Sequence, residues 1–390
     1  MIDWGEVVRR MVLNGARMTG LADLLRARYG GIGAILMLHR VTDAPRKTMG
    51  VNRHLSITPG FLDALLSELR SLGYRFVDMD EAADRITGST SGERFIALSA
   101  DDAYRDNLLE ALPVLEKHEA PITIHVCPGL TSGSMDLWWD LLEDVVTARD
   151  ELYLTTSEGR MFVDCSTPAR KAEANCKLHD YLTQEVREED RQPILRDMAR
   201  LAGLDHGQAN RETLMTWDEV RKASDHPLVT IGAHTLCHFN LKRLSDEKAW
   251  EEIVDAPRVI ELETGVKPQH MAYPYGYESA VGGREVALAA AAGFRTAVTT
   301  RHGVVTHEHA AHMHALPRIS VNGRYQRVAH IRTMLSGITT PLANRGRTLV
   351  TTEPRFLMPF AIHEMMNMAG KIHKSPESAK KPRWTSQLDS

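Results

Sequence analysis

What the sequence has little of narrows the field first. Aromatic residues fill only 6% of its 390 positions, too few for a repeat binder lined with aromatic platforms. Positive charge is not in excess: 47 Lys and Arg face 51 Asp and Glu, a formal net charge of -4. That leaves no overall basic footprint for nucleic acid. No apolar run approaches the roughly 20 residues of a membrane-spanning helix. The four cysteines, Cys127, Cys165, Cys176 and Cys237, make no CxxC pair, which excludes a cysteine zinc knuckle. Two disulfides are allowed by count, but nothing in the spacing asks for them. The first twenty residues carry acids beside the methionine and no apolar h-region, so they do not read as a secretory signal. A cytoplasmic location is expected, with the inner face of the membrane left open. Val7, Val8, Met11, Val12 and Leu13 line one side of an expected helix packed on its own domain.

What remains is an ordinary globular mix, 43% apolar and 25% charged, long enough for one large domain or two ordinary ones. Short apolar runs alternate with helical patterns. Strands are expected at 34–38, 94–99, 121–126, 228–231, 271–273 and 295–298. Helices are expected at 59–72, 107–118, 247–263 and 284–292. Thr58-Pro59 supplies a cap and a first-turn proline for the first of these. Repeated strand-then-helix order implies an α/β fold with a mainly parallel sheet or barrel. The stretch 131–215 breaks the rhythm and reads as a largely helical insertion, with 178–200 helical and solvent-facing. The expected division is an N-terminal helical extension 1–33, a core 34–350, and a C-terminal extension 351–390 ending in a disordered basic tail.

Three short segments carry chemistry. Ser99-Ala100-Asp101-Asp102-Ala103 closes an expected strand, and adjacent carboxylates there can divide the work of metal ligand and free base. His234-Thr235-Leu236-Cys237-His238 follows another strand. If helical, it presents two imidazoles about one turn apart to a single metal. Two histidines and one aspartate would leave room for water, the arrangement of catalytic rather than structural zinc. Met271-Ala272-Tyr273-Pro274-Tyr275-Gly276 reads as a tight loop after a strand, able to aim a backbone N–H at a developing oxyanion.

In order and context, these segments resemble the polysaccharide deacetylases of carbohydrate esterase family 4, the NodB-like chitooligosaccharide deacetylases. The resemblance runs from about Ile35 to Asn322 and leaves out most of the insertion. It implies a distorted (β/α) barrel of about seven strands. It also implies one divalent metal ion, most often Zn2+, held by Asp102, His234 and His238, with Asp101 as base and the Tyr275 backbone N–H as oxyanion donor. Three departures stand out. Ala272 takes the place of an arginine that orients the base in many members, and Arg318 is the expected replacement. Ala103 stands where glycine is usual. The late Leu-x-x-His motif that supplies the acid has no clean match, leaving His314 and His39 as candidates.

The implied activity is metal-dependent hydrolysis of N-acetyl groups on an amino-sugar oligosaccharide or polysaccharide precursor, releasing acetate. The partner is therefore an N-acetylated glycan, with no nucleic acid and no transmembrane segment; a homo-oligomer is left open. The alternatives are a related amidase acting on a small non-sugar amide, and a non-catalytic glycan-binding member. Trp138-Trp139 in the insertion is a candidate sugar-stacking lip.

Overall fold

The computed structural model describes residues 26–44, 47–90, 92–156 and 159–352. The expected helical face at Val7–Leu13 and the basic tail lie outside them. Seven strands make the core: β1 (Gly33–Leu38), β2 (Phe95–Ala100), β3 (Ile122–Val126), β4 (Val229–Ala233), β5 (His270–Ala272), β6 (Thr296–His302) and β7 (Leu316–Ser320). Each pairs in parallel with the next, and β7 returns to β1, which also pairs with β2. The ring is thus a distorted parallel seven-stranded barrel in chain order. A shift of register between β6 and β7 at Val298–His302 is one source of the distortion. The short strand Arg75–Val77 pairs in parallel with the amino-terminal half of β2.

The strands alternate inward and outward with the period of two that the pleat imposes. On β1 and β2, Ala34, Leu36, Leu38, Ile96, Leu98 and Ala100 pack in the cluster shared with the surrounding helices. Ile35, Phe95 and Ala97 join a second cluster with Ala272, Val298 and Leu316. Toward the carboxyl ends of the strands this second face turns polar, with Ser99, Asp101, His125 and Arg318 all buried. Gly232 makes room there, since a Cβ at that position would sit 2.5 Å from the His125 ring.

The flanking helices include α1 (Pro59–Ser71), α2 (Met79–Thr87), α3 (Trp138–Ala148), α4 (Pro168–Asp180), α5 (Glu188–Ala202), α6 (Asp246–Thr264) and α7 (Gly283–Ala291). Helix α1 starts as its sequence demands: the Thr58 hydroxyl accepts from the Phe61 N–H and Pro59 opens the first turn. Helices α3, α4 and α5, with an antiparallel hairpin at Glu151–Thr156 and Gly159–Asp164, lie between β3 and β4 and share a separate apolar core. The stretch is largely helical, as expected, and the hairpin adds a small sheet to it. Helix α5 departs from the expected solvent-facing helix at 178–200. It buries Glu188, Arg191, Gln192, Leu195, Met198 and Ala199, and two of these charged residues reach the barrel. Among the described residues, no helix is long and apolar enough to cross a membrane.

Candidate metal centre

The carboxyl ends of β2 and β4 bring the acidic pair and the two histidines together. Asp102, His234 and His238 each offer one ligand atom, and these atoms lie within 4.8 Å of one another. Asp102 Oδ1 is 3.5 Å from His234 Nε2 and 3.3 Å from His238 Nε2. All three residues are buried. The His234 Nδ1–H donates to the Ala272 carbonyl at 2.7 Å, which fixes the tautomer and turns the Nε2 lone pair toward Asp102. Burial pushes His234 down to about 4, so its imidazole is neutral and able to ligate at neutral pH. Asp102 Oδ1 is buried without a hydrogen-bond partner. An orphaned carboxylate oxygen beside two imidazoles is what a divalent cation would satisfy, so the residues fit a metal.

The histidine pair does not sit on a helix. The chain leaves β4 as a loop in which Thr235 (φ 56°) and His238 (φ 58°) adopt left-handed backbone. Helix α6 braces it from below: the Glu252 carbonyl accepts from the Leu236 N–H at 3.0 Å and Glu252 Oε2 from the Cys237 N–H at 2.8 Å. Asp102 (φ 71°), Ala103 (φ 52°) and Tyr275 (φ 63°) are left-handed too. Five of the seven non-glycine residues in that region among the described residues therefore cluster at this site, the usual place for stored backbone strain.

Asp101 lies beside the cluster and meets Arg318. The guanidinium of Arg318, on β7, forks onto the carboxylate, Nη1 to Oδ1 at 2.8 Å and Nη2 to Oδ2 at 2.7 Å. Its Nε donates to the Thr299 carbonyl and Nη1 also to Ser99 Oγ. His125 Nδ1 is 3.2 Å from Asp101 Oδ1, off the line of a full hydrogen bond. Burial alone would raise the Asp101 carboxyl; Arg318, His125 and His234 outweigh it and hold the group well below the usual carboxylate range. At Asp102 burial is likewise outweighed, by His238, His234 and His39. His39 thus stands near the cluster, just past β1, its carbonyl accepting from Asn107 Nδ2.

His314 is not part of this group. It precedes β7, at the amino end of the barrel, and its Nε2–H donates to the Phe294 carbonyl ahead of β6. Asp101, Asp102, His234 and His238 follow the opposite, carboxyl ends of their strands, so His314 cannot serve as the acid.

The insertion supplies partners that sequence reasoning missed. Tyr275 Oη accepts from Trp138 Nε1 at 3.0 Å and from Arg191 Nη1 at 2.8 Å. Glu188 binds Arg191 Nη2 at 2.5 Å and accepts from the Asn240 N–H at 2.9 Å, just past the histidine loop. Trp139 Nε1 donates to Tyr104 Oη, and its ring lies 5.1 Å from that of His238. Both tryptophans therefore pack onto the barrel, with Trp138 buried and Trp139 half-buried. The Trp-Trp pair was visible in the sequence; no local signal marked Arg191, Glu188, His125 or Glu252. The Tyr275 N–H itself meets no acceptor among the described residues.

A parallel barrel holding a buried Asp-His-His cluster beside an Arg-paired aspartate defines a class of metal-dependent hydrolase. The polysaccharide deacetylase family model matches residues 88–297, more than half of the chain, and the chain belongs to that family. No curated protein matches it. Among solved structures it is similar to the Streptococcus pyogenes deacetylase PplD in complex with acetate, at 16% identity, covering 82% of this chain and 98% of that one, TM-score 0.49. It is also similar to IcaB from Ammonifex degensii, at 16% identity over 77% and 97% of the two chains, TM-score 0.47.

Proposed function

We propose that the protein removes N-acetyl groups from an amino-sugar oligosaccharide or polysaccharide precursor, releasing acetate. The observation that carries this reading is the convergence of Asp102, His234 and His238 next to Asp101, itself gripped by Arg318. Asp102, His234 and His238 would hold a divalent ion, zinc being the best match to two imidazoles and a carboxylate, which would supply Lewis acidity for the acetyl carbonyl and the nucleophilic water. Asp101 takes the proton of the attacking water, its carboxylate oriented by the Arg318 fork. The Tyr275 N–H donates to the carbonyl oxygen as charge builds on it. His39 protonates the departing amine, which would otherwise leave poorly as an anion. The Arg318 fork on Asp101 also weighs against a non-catalytic, glycan-binding member, since the base keeps an arginine partner.

The test is acetate release from a panel of N-acetylated oligosaccharides by the protein as isolated, after chelation and after zinc is restored. Release should follow the metal. Asp102→Ala and His234→Ala should each abolish zinc retention and turnover together. Undiminished release from chelated protein would overturn the mechanism, and release from small cyclic amides alone would transfer it to a non-sugar substrate.

A further inference from the structure

A second cleft, of about 630 Å³, opens beside the loop that carries Tyr275. Its inner wall is the carboxyl end of β6, where Thr300 Oγ1 donates to the Tyr275 carbonyl at 2.6 Å and the Thr300 N–H to the Gly276 carbonyl. Three arginines line it: Arg301, Arg345 and Arg347. Glu278 is the one carboxylate among its lining residues. No carboxylate of the described residues comes within salt-bridge distance of any of the three guanidiniums.

Arg301 is the anchor. Its Nη1 and Nη2 donate to the carbonyls of Thr351 and Val281, at 2.9 and 3.1 Å, which locks the side chain in place. Its Nε is buried with no acceptor. Burial pushes its proton affinity down, against a pull from Glu278 that exceeds the opposing charge of Arg347. A fixed cation with an idle donor, joined by two more guanidiniums and faced by a single carboxylate, leaves the cleft with an excess of positive charge. Arg345 and Arg347 are exposed and free to turn inward.

We propose that this cleft binds a phosphate group. Three guanidiniums offer more donors than the two oxygens of a carboxylate accept, while the terminal oxygens and double charge of a phosphate match them. Because the cleft shares a wall with the Tyr275 loop, the phosphate is one carried by the substrate beyond the acetylated sugar, an assignment of substrate that rests on the deacetylase reading. The phosphate site itself does not depend on it.

The experiment uses the full-length protein freed of metal by chelation, so that phosphate has no ion to bind. Inorganic phosphate is titrated calorimetrically, with acetate as the carboxylate control. The double variant Arg345→Ala with Arg347→Ala changes two exposed side chains, and its thermal melt checks that it folds. Phosphate should bind the wild type in preference to acetate, and the double variant should bind it about tenfold or more weakly. Co-sedimentation with phosphatidylcholine vesicles, with and without phosphatidic acid, separates a lipid-borne phosphate from a soluble one; in either case the double variant should lose the binding. The proposal is overturned if phosphate and acetate bind alike, if the double variant binds phosphate as the wild type does, or if the wild type binds none because its own residues after Thr352 fill the cleft. Acetate release from a neutral N-acetylated oligosaccharide by metal-loaded wild type reads the catalytic proposal separately.

Discussion

Arg318 is 1% exposed and makes four hydrogen bonds, two of them to Asp101. Two buried aspartates in succession are tolerable only because one faces this fork and the other faces the histidines and, when bound, a metal. Taking away the guanidinium strands a buried charge, which typically costs about 3–5 kcal/mol. Arg318→Met should therefore destabilise the protein by that order in urea melts. Arg318→Lys keeps the charge and loses the fork, so it should fold better than the methionine variant yet lose about 100-fold in kcat through misplacement of the base. A lysine variant with wild-type kcat at full metal occupancy would show that orientation by Arg318 is dispensable. At Ala103 the magnitudes explain a departure that looked costly. A left-handed alanine is strained by about 1 kcal/mol relative to glycine, and its fully buried methyl returns about 0.8 kcal/mol of that.

Helix α6 matters to the site through one residue, Glu252. The side chain is buried under the histidine loop, and burial pushes its carboxyl up to about 7, against the donors of Cys237, Thr235 and Leu236. Its ordinary value is 4.5, so between 4.5 and about 7 the folded chain keeps a proton that the unfolded chain releases. The associated stability is fully present below that window and declines as the pH rises through 7, by about 3 kcal/mol in all. Glu252→Gln keeps an acceptor for the Cys237 N–H and cannot titrate. The wild type should lose stability relative to this variant as urea melts are taken from pH 5 to pH 8; parallel curves would sink the idea. Such support was not legible in the sequence, because it comes from a helix packed beneath a loop whose own motif is fifteen residues away. The motif itself was legible as residue types and spacing, but its helical reading failed: backbone with positive φ at Thr235 and His238 is imposed by that same packing. Strand β7 went unread because Pro317 interrupts its apolar run, although Arg318 on it was singled out. The hairpin at 151–164 does alternate, with Leu152, Leu154 and Val163 turned inward, yet it was submerged in a charged stretch.

At the scale of the molecule, the barrel and the insertion are two apolar cores that meet at the site, and Tyr275 packs against both. The barrel supplies its backbone, held left-handed at φ 63°; the insertion holds its ring through Trp138 and Arg191. If the N–H of this residue stabilises the oxyanion, the insertion acts on catalysis through the phenolic oxygen, some distance from the chemistry. Tyr275→Phe separates the two contributions, since it leaves the backbone N–H in place and removes the acceptor for both donors. Two buried donors then lose their partner, a loss worth about 1–3 kcal/mol for each group left unsatisfied. The strained loop, no longer tethered, should spend less time in the productive geometry. We expect kcat to fall by about tenfold, in keeping with the sensitivity of oriented groups to small displacements, with zinc affinity unchanged because no ligand is touched. Hydrogen exchange at the amides of 275–277 should quicken in parallel. Wild-type kcat with quickened exchange would mean that the N–H does not need the insertion to hold it. Wild-type values for both would mean that the barrel alone fixes the loop, and that the insertion serves something other than catalysis.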